Sequence, residues 1–328
     1  EAIDVCDVDG FCYGNYTDEE AGTGCTVIVA PEGATGGVDV RGGAPASRET
    51  DLLRPENTVD KVHAVCLSGG SAFGLEAASG VARELESRSI GLPVGPTQVP
   101  IVCSSCIFDL AFGDPTVRPD IEAGIAAVRE ALDNTPTTLE QGNVGAGTGA
   151  TVGKLMGPAI CMKAGLGAAA VALGPIKVGA VVSVNACGNV VDPFTGEWVA
   201  GMRAAADSDQ IVDMELAAFA AAGSMQMPLD RTNTTISCIV TNVELTKAQA
   251  TKVSQMAADA YAHAIRPTHT TNDGDTIYTL ASGKLGAQAS AAVPLDLLGM
   301  LAVRALETAI VNGAKTAKTS HGIPGAAK

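Results

Sequence analysis

Three short stretches of this 328-residue sequence place reactive side chains where regular structure begins or ends. Asn233-Thr234-Thr235 opens a run rich in β-branched residues that continues to Val243. Asp273-Gly274-Asp275-Thr276 opens a second such run. Lys154 ends the glycine-rich stretch Gln141–Lys154, and Asn185 follows the apolar run Val178–Val184. These positions supply a hydroxyl, two carboxylates, an amine and an amide, the groups that nucleophilic or acid–base chemistry draws on. Each also has an ordinary reading. Asn-Thr is a common loop exit, and Asp-Gly is a hairpin turn signal. A Lys after glycines is usually a solvated charge, and an Asn at a strand end often bonds its own backbone.

Other motifs fall away on inspection. Gly145-Ala-Gly147-Thr-Gly149-Ala150 meets the dinucleotide spacing only with Ala150 in the third position, and no acidic residue ends a second strand for the ribose. A phosphate loop needs Gly at 148 and Ser or Thr at 155, where the chain has Thr148 and Leu155. Asp7-Val-Asp9-Gly10 resembles part of a calcium loop, but its first position is Val5 and the closing Glu is missing. His63, His263, His269 and His321 lack metal spacing and are read as core or surface residues. Cys103 and Cys106 form a lone CxxC inside a β-like run, read as buried thiols rather than a zinc site. Gly70-Ser71-Ala-Phe-Gly74 sets its serine one place early for a nucleophile elbow, which leaves Ser71 a rival nucleophile.

The elements that must position these groups come in mixed order. Strands are expected at Cys25–Ala30 (ended by Pro31-Glu-Gly), Val38–Arg41, His63–Leu67, Pro100–Phe108, Ala159–Met162, Ala168–Leu173, Val178–Val184, 233–243 and Thr276–Leu280. Helices are expected from Leu75 to about Ser87, over Pro119–Leu132 with Pro119 in the first turn, and over Gln210–Ala222. A capping box at Thr246-Lys-Ala-Gln249 opens another to about Ile265. The last is Pro294–Val311, stopped by Asn312-Gly313. Lys315–Lys328 reads as a frayed tail. The lack of strict alternation predicts a layered α/β sandwich rather than a barrel.

Composition narrows the class. Apolar residues make up 46% and charged residues 17%, with 38 Gly and only 3% aromatics. That is globular, with small side chains suited to close approach of sheet and helix. The net charge of −15 repels nucleic acid, and no basic stripe is present. The charge is uneven: from Thr234 onward eight basic and six acidic residues give about +2, leaving −17 for the remainder. Nine scattered cysteines read as reduced thiols, which predicts a cytoplasmic setting. No uninterrupted apolar run of about 18 residues predicts a membrane span, and no secretory n-region opens the chain at Glu1.

Several ordered motifs together carry a resemblance. Asn233-Thr-Thr-Ile-Ser-Cys-Ile-Val-Thr-Asn-Val, with Ile265-Arg-Pro-Thr-His-Thr-Thr-Asn-Asp-Gly-Asp-Thr, is similar to the P1 peptidase family, the self-cleaving aminopeptidases and amidases of the DmpA type (peptidase family S58). The likeness extends to Val38-Asp-Val-Arg-Gly-Gly-Ala, Cys66-Leu-Ser-Gly-Gly-Ser-Ala-Phe-Gly-Leu-Glu-Ala, Gly145-Ala-Gly-Thr-Gly-Ala-Thr-Val-Gly-Lys and Val178-Gly-Ala-Val-Val-Ser-Val-Asn, and spans about residues 20–310. The Asn-Thr junction resembles the family's threonine branch, that of the nylon-oligomer hydrolases; many relatives have Ser after Gly instead.

The resemblance implies an αββα sandwich of the DmpA/ornithine acetyltransferase-like type. It implies a single domain, 1–328, that matures by self-cleavage into fragments 1–233 and 234–328, and assembly into homotetramers. The bond Asn233–Thr234 matches the scissile bond, and Lys154, Asn185, Asp273 and Asp275 match active-site positions. Phe108 stands where the branch has a tyrosine, so a phenolic contact is lost. The chemistry suits the residues. A threonine hydroxyl needs a base; a freed Thr234 α-amine, with a reference pKa near 8, supplies one. A nearby Lys154 ammonium keeps that amine neutral, Asn185 donates to the oxyanion, and the two Asp orient Lys154, Thr234 or both. The implied substrates are small linear amides: aminoacyl amides, short peptides or ω-amino-acid oligomers. No cofactor or metal is required. Two alternatives remain, an acyl transferase like the ornithine acetyltransferases and an uncleaved, inactive relative acting as a binding protein.

Overall fold

The computed structural model describes residues 1–222 and 233–327. A ten-stranded sheet runs in the order 2–3, 166–173, 176–185, 234–241, 276–281, 23–40, 62–68, 102–106 and 47–48, with 12–18 also paired to 23–40. The strand Thr23–Val40 belongs to both halves. Its residues 25–34 pair with Val62–Ser68, the register slips between Val29 and Ala34, and residues 35–40 pair with Thr276–Ala281. Two expected strands, Cys25–Ala30 and Val38–Arg41, are therefore one. Pro31 is tolerated because it falls at the irregular stretch, where the ladder is interrupted.

This slip folds the sheet over on itself. Strand residues alternate between faces, and the alternation sorts the core into three layers. Ile28, Val65, Leu67 and Cys103 from one half meet Val181, Ile236, Cys238, Val240 and Tyr278 from the other. Cys25, Val27, Ala64 and Cys66 face outward onto helices Ala77–Ser87 and Ile121–Arg129. Val178, Ala180, Val182 and Ile277 face outward onto helices Lys247–Ala257, Asp259–Ala264 and Leu295–Lys315. Helix, sheet, sheet and helix give the expected αββα sandwich.

Several local expectations shift. Ala159–Met162 is a 3-10 turn, Pro158–Ile160, followed by the short strand Met162–Lys163. The helix expected from Pro119 starts two residues later, at Ile121, because Asp120 caps it by accepting from Ala123 N. The Thr246/Gln249 capping box is present, but its helix breaks after Ala257. Asn312-Gly313 does not stop the last helix, which runs to Lys315. Gly313 serves close packing instead: an added Cβ would lie 2.9 Å from Gly165 O. That helix is long and apolar enough to cross a membrane, yet eleven of its residues are buried, packed against the sheet with Lys247–Ala257 beside it. The tail does not fray; Ala317 is buried and Ala327 N donates to Ala317 O at 3.0 Å.

The strand at 166–173 touches this helix at Gly167, where a Cβ would sit 1.9 Å from Ala309 O. Backbone meets backbone there, so neither side can yield cheaply. Gly167→Ala should lower unfolding free energy by about 2–3 kcal/mol in urea denaturation; an unchanged midpoint and slope would contradict this packing.

Candidate active site

Strand register brings the chemical groups together. Thr234 is the first residue of its strand and pairs with Asn185, the last residue of the antiparallel strand Ile176–Asn185. On its other side the strand pairs in parallel with Thr276–Ala281, so both strands begin at the same edge. Asp273, Gly274 and Asp275 lead into that neighbour. Lys154 arrives from the loop after Thr151–Val152; its N–H donates to Cys187 O at 3.0 Å, two residues beyond Asn185.

The Asn233–Thr234 bond lies at the centre of the cluster. Thr234 Oγ donates to Asn233 O. The Gly274 N–H points at both oxygens, 3.1 Å from Thr234 Oγ and 3.3 Å from Asn233 O. Only glycine fits there, because a Cβ on Gly274 would stand 2.8 Å from Thr234 Oγ. Asn233 is buried, and its Oδ1 has no hydrogen-bond partner among the described residues.

Lys154 Nζ donates to Asn185 O at 3.0 Å and to Asn185 Oδ1 at 2.8 Å. The stem of Lys154 is half-buried, but its ammonium is enclosed, and loss of water lowers its pKa to about 8. Asn185 is fully buried; its Oδ1 also accepts from Thr151 N, and its Nδ2 donates to Phe108 O at 3.0 Å. Its amide oxygen is thus committed to Lys154, and the backbone donor on Asn233 O is Gly274.

The two carboxylates act on the backbone next to Thr234 and Asn185. Asp275 Oδ1 accepts from Thr235 N at 2.8 Å, and Oδ2 accepts from His269 N at 3.0 Å and pairs with His269 Nδ1 at 2.8 Å. Asp273 accepts from Cys187 N at 3.3 Å and from Thr270. Burial, reinforced by Asp275, pushes the Asp273 carboxyl up to about 6. Among the described residues neither carboxylate hydrogen-bonds to Lys154 or to Thr234 Oγ. They hold Thr235 and Cys187, which flank the site, rather than the reacting groups themselves.

Two contributors carry little signal in the sequence. Gly274 has the pattern of a turn residue, yet its N–H carries the central contact. His269 has no metal spacing and reads as a core or surface residue, yet it clamps Asp275 and stacks on Tyr261 at 5.5 Å between ring centroids. Its place in the Thr268-His-Thr-Thr-Asn-Asp stretch, four residues before Asp273, was the available signal. The rival Ser71 sits at the start of a 3-10 turn, and no hydrogen bond joins its hydroxyl to a base among the described residues. The CxxC residues lie in the strand Val102–Cys106, three apart and so on opposite faces.

A cleft of about 130 Å³ opens beside Lys154 and Asn233, with Phe108, Phe112, Leu155 and Ile323 among its walls. A cleft with an apolar lining and a few convergent polar groups is the usual form of a small-molecule site.

The model of peptidase family S58 matches residues 4–327. An uncharacterized aminopeptidase of Mycobacterium leprae is 39% identical, over 98% of this chain and 92% of its own length. A 6-aminohexanoate-oligomer endohydrolase of Kocuria sp. is 31% identical, over 94% of this chain and 85% of its own. Among solved structures, the L-aminopeptidase D-Ala-esterase/amidase of Ochrobactrum anthropi, a variant of the Ntn hydrolase fold, superposes with a TM-score of 0.68 at 18% identity, covering 96% of this chain and 86% of that one. A Burkholderia sp. beta-aminopeptidase gives 0.66 at 19%, covering 98% and 90%. With the family model spanning nearly its whole length and a strand-end cluster built around Thr234, the chain belongs to peptidase family S58 and is a hydrolase of amide bonds.

Proposed function

We propose that this hydrolase cuts its own Asn233–Thr234 bond and then uses Thr234 as an N-terminal nucleophile on small linear amides. The observation that carries the reading is the Gly274 N–H shared between Thr234 Oγ and Asn233 O, with Oγ in contact with that same carbonyl oxygen. In self-cleavage, Oγ bonds to the Asn233 carbonyl carbon and the Gly274 N–H stabilises the oxyanion. The C–N bond then breaks, and the proton from Oγ goes to the departing nitrogen. The product is an ester on Thr234 with a free α-amine, and water hydrolyses it to release the Asn233 carboxylate. Fragments 1–233 and 234–328 result.

Turnover repeats the geometry. A substrate carbonyl takes the place of Asn233 C=O. The α-amine of Thr234 removes the Oγ proton, and the leaving amine receives it. The Lys154 ammonium disfavours protonation of that amine and so keeps it a base. Asn185 holds Lys154 in its charged form through two acceptors and adds its amide to the oxyanion site. Asp275 fixes the Thr235 backbone, and Asp273 fixes the Cys187 backbone. The substrate class is aminoacyl amides, short peptides or ω-amino-acid oligomers such as those of 6-aminohexanoate, following the names of the relatives. The family resemblance adds a homotetramer.

Thr234→Ala should leave one intact, folded chain with hydrolysis of leucine 4-nitroanilide reduced at least about 10³-fold. Cleavage at 233–234 in that variant would contradict the nucleophile assignment. The pH profile gives a second test. A Lys with pKa near 8 loses its charge above that pH, so kcat/KM should fall as pH rises through about 8. Asn185→Ala removes an acceptor that favours the ammonium, so the falling limb should move to lower pH, and kcat should drop roughly 10²-fold with the loss of an oxyanion donor. A limb unmoved by the substitution would separate Asn185 from Lys154.

A further inference from the structure

The C-terminal segment after the last helix is a folded strap whose turn reaches the cleft. Asn143 and Lys318 exchange two hydrogen bonds, Nδ2 to O at 2.9 Å and N to Oδ1 at 3.0 Å. Lys163 N donates to Pro324 O at 2.8 Å, and Ala327 N donates back to Ala317 O at 3.0 Å. Between these anchors Ser320 and Ile323 exchange N–H···O bonds at 3.1 and 2.9 Å, closing a tight turn. His321 sits in the turn with its ring 4.7 Å from that of Phe112 and its Nε2 3.2 Å from Glu20 O. The Lys163 ammonium lies 4.9 Å from the same Phe112 ring. Lys163 itself is buried and donates to Gly147 O, Ala150 O and Ala164 O, so the Phe112 ring is held between a fixed cation and the strap.

Both residues placed by the strap, Ile323 and Phe112, line the cleft beside Lys154. Asn233 lines it too, which gives the cleft a direction. Asn233 stands on the acyl side of the scissile bond, so whatever a substrate carries on its carbonyl carbon occupies the space next to Asn233. From this placement we infer that Ile323, with Phe112, is a specificity-determining wall that limits the size of the substrate's acyl group. The inference rests on the hydrolase reading and adds which end of the amide the cleft measures. The chemistry of the wall agrees: Phe108, Ala111, Phe112, Leu155, Pro158 and Ile323 present apolar surface, which favours an aliphatic or aromatic acyl side chain over a charged one.

One methylene more or less in such a pocket shifts specificity by about 10–200-fold. The test is the ratio of kcat/KM for phenylalanine 4-nitroanilide to that for glycine 4-nitroanilide, which share a leaving group and differ only in the acyl side. Ile323→Trp should lower this ratio by about tenfold and Ile323→Ala should raise it, with self-cleavage complete in both by denaturing gel. A ratio unchanged in both variants, or moved the same way in both, would overturn the assignment of Ile323 while leaving the hydrolase reading intact. Wild-type protein that hydrolyses neither anilide would instead remove the reading on which the inference stands.

Discussion

The site depends on the pairing of three strand ends. Thr234 sits opposite Asn185 in an antiparallel ladder and next to the start of Thr276–Ala281 in a parallel one. An antiparallel partner contributes its last residue and a parallel partner its first, so one edge collects groups from three distant parts of the chain. A slip of one residue would turn every side chain of the Thr234 strand to the opposite face. The packing forbids the slip, because Ile236, Cys238 and Val240 fill the space between the sheets while Ile239 meets the helices. The hydrophobic pattern of this strand thus fixes which way the Thr234 hydroxyl points.

Buried charge is the second constraint. Lys154 and Lys163 are both stripped of water, and burial lowers their pKa values to about 8 and about 7. Carbonyl oxygens surround each ammonium, so neither pairs directly with a carboxylate at hydrogen-bond distance among the described residues. Asp273 is displaced the other way by burial and by Asp275. Groups poised near neutrality at one edge of a sheet are typical of catalytic centres. The division of labour is visible in the contacts: the lysine is held on Asn185, and the aspartates brace the backbone at Thr235 and Cys187.

Much of this was legible in the sequence, for a definite reason. Thr234, Asn185 and Asp275 stand at the ends of runs whose β-branched content announces strands, and a strand end is where a polar side chain can reach a cleft. The four-layer arrangement followed from the resemblance, and the alternation of Ile28, Val65, Val181 and Cys238 explains it afterwards. What stayed hidden depends on tertiary context. Pro31 looked like a strand terminator because nothing local reveals a fold-over inside Thr23–Val40. Gly313 looked like a helix stop because its real partner, Gly165, is far away in sequence. The Gly274 N–H has no side-chain signature at all. The strap seemed a tail because its small and polar residues are held by backbone hydrogen bonds, which composition does not report.

We propose that the arrangement around Asn233–Thr234 is a precursor poised to cut itself. The most direct measurement is the intact mass of freshly purified wild-type protein under denaturing conditions. Two species are expected, one ending at Asn233 and one beginning at Thr234, with any full-length species converting to them on incubation. A single full-length mass that persists while the protein hydrolyses amides would contradict it, because catalysis would then proceed without the freed Thr234 amine.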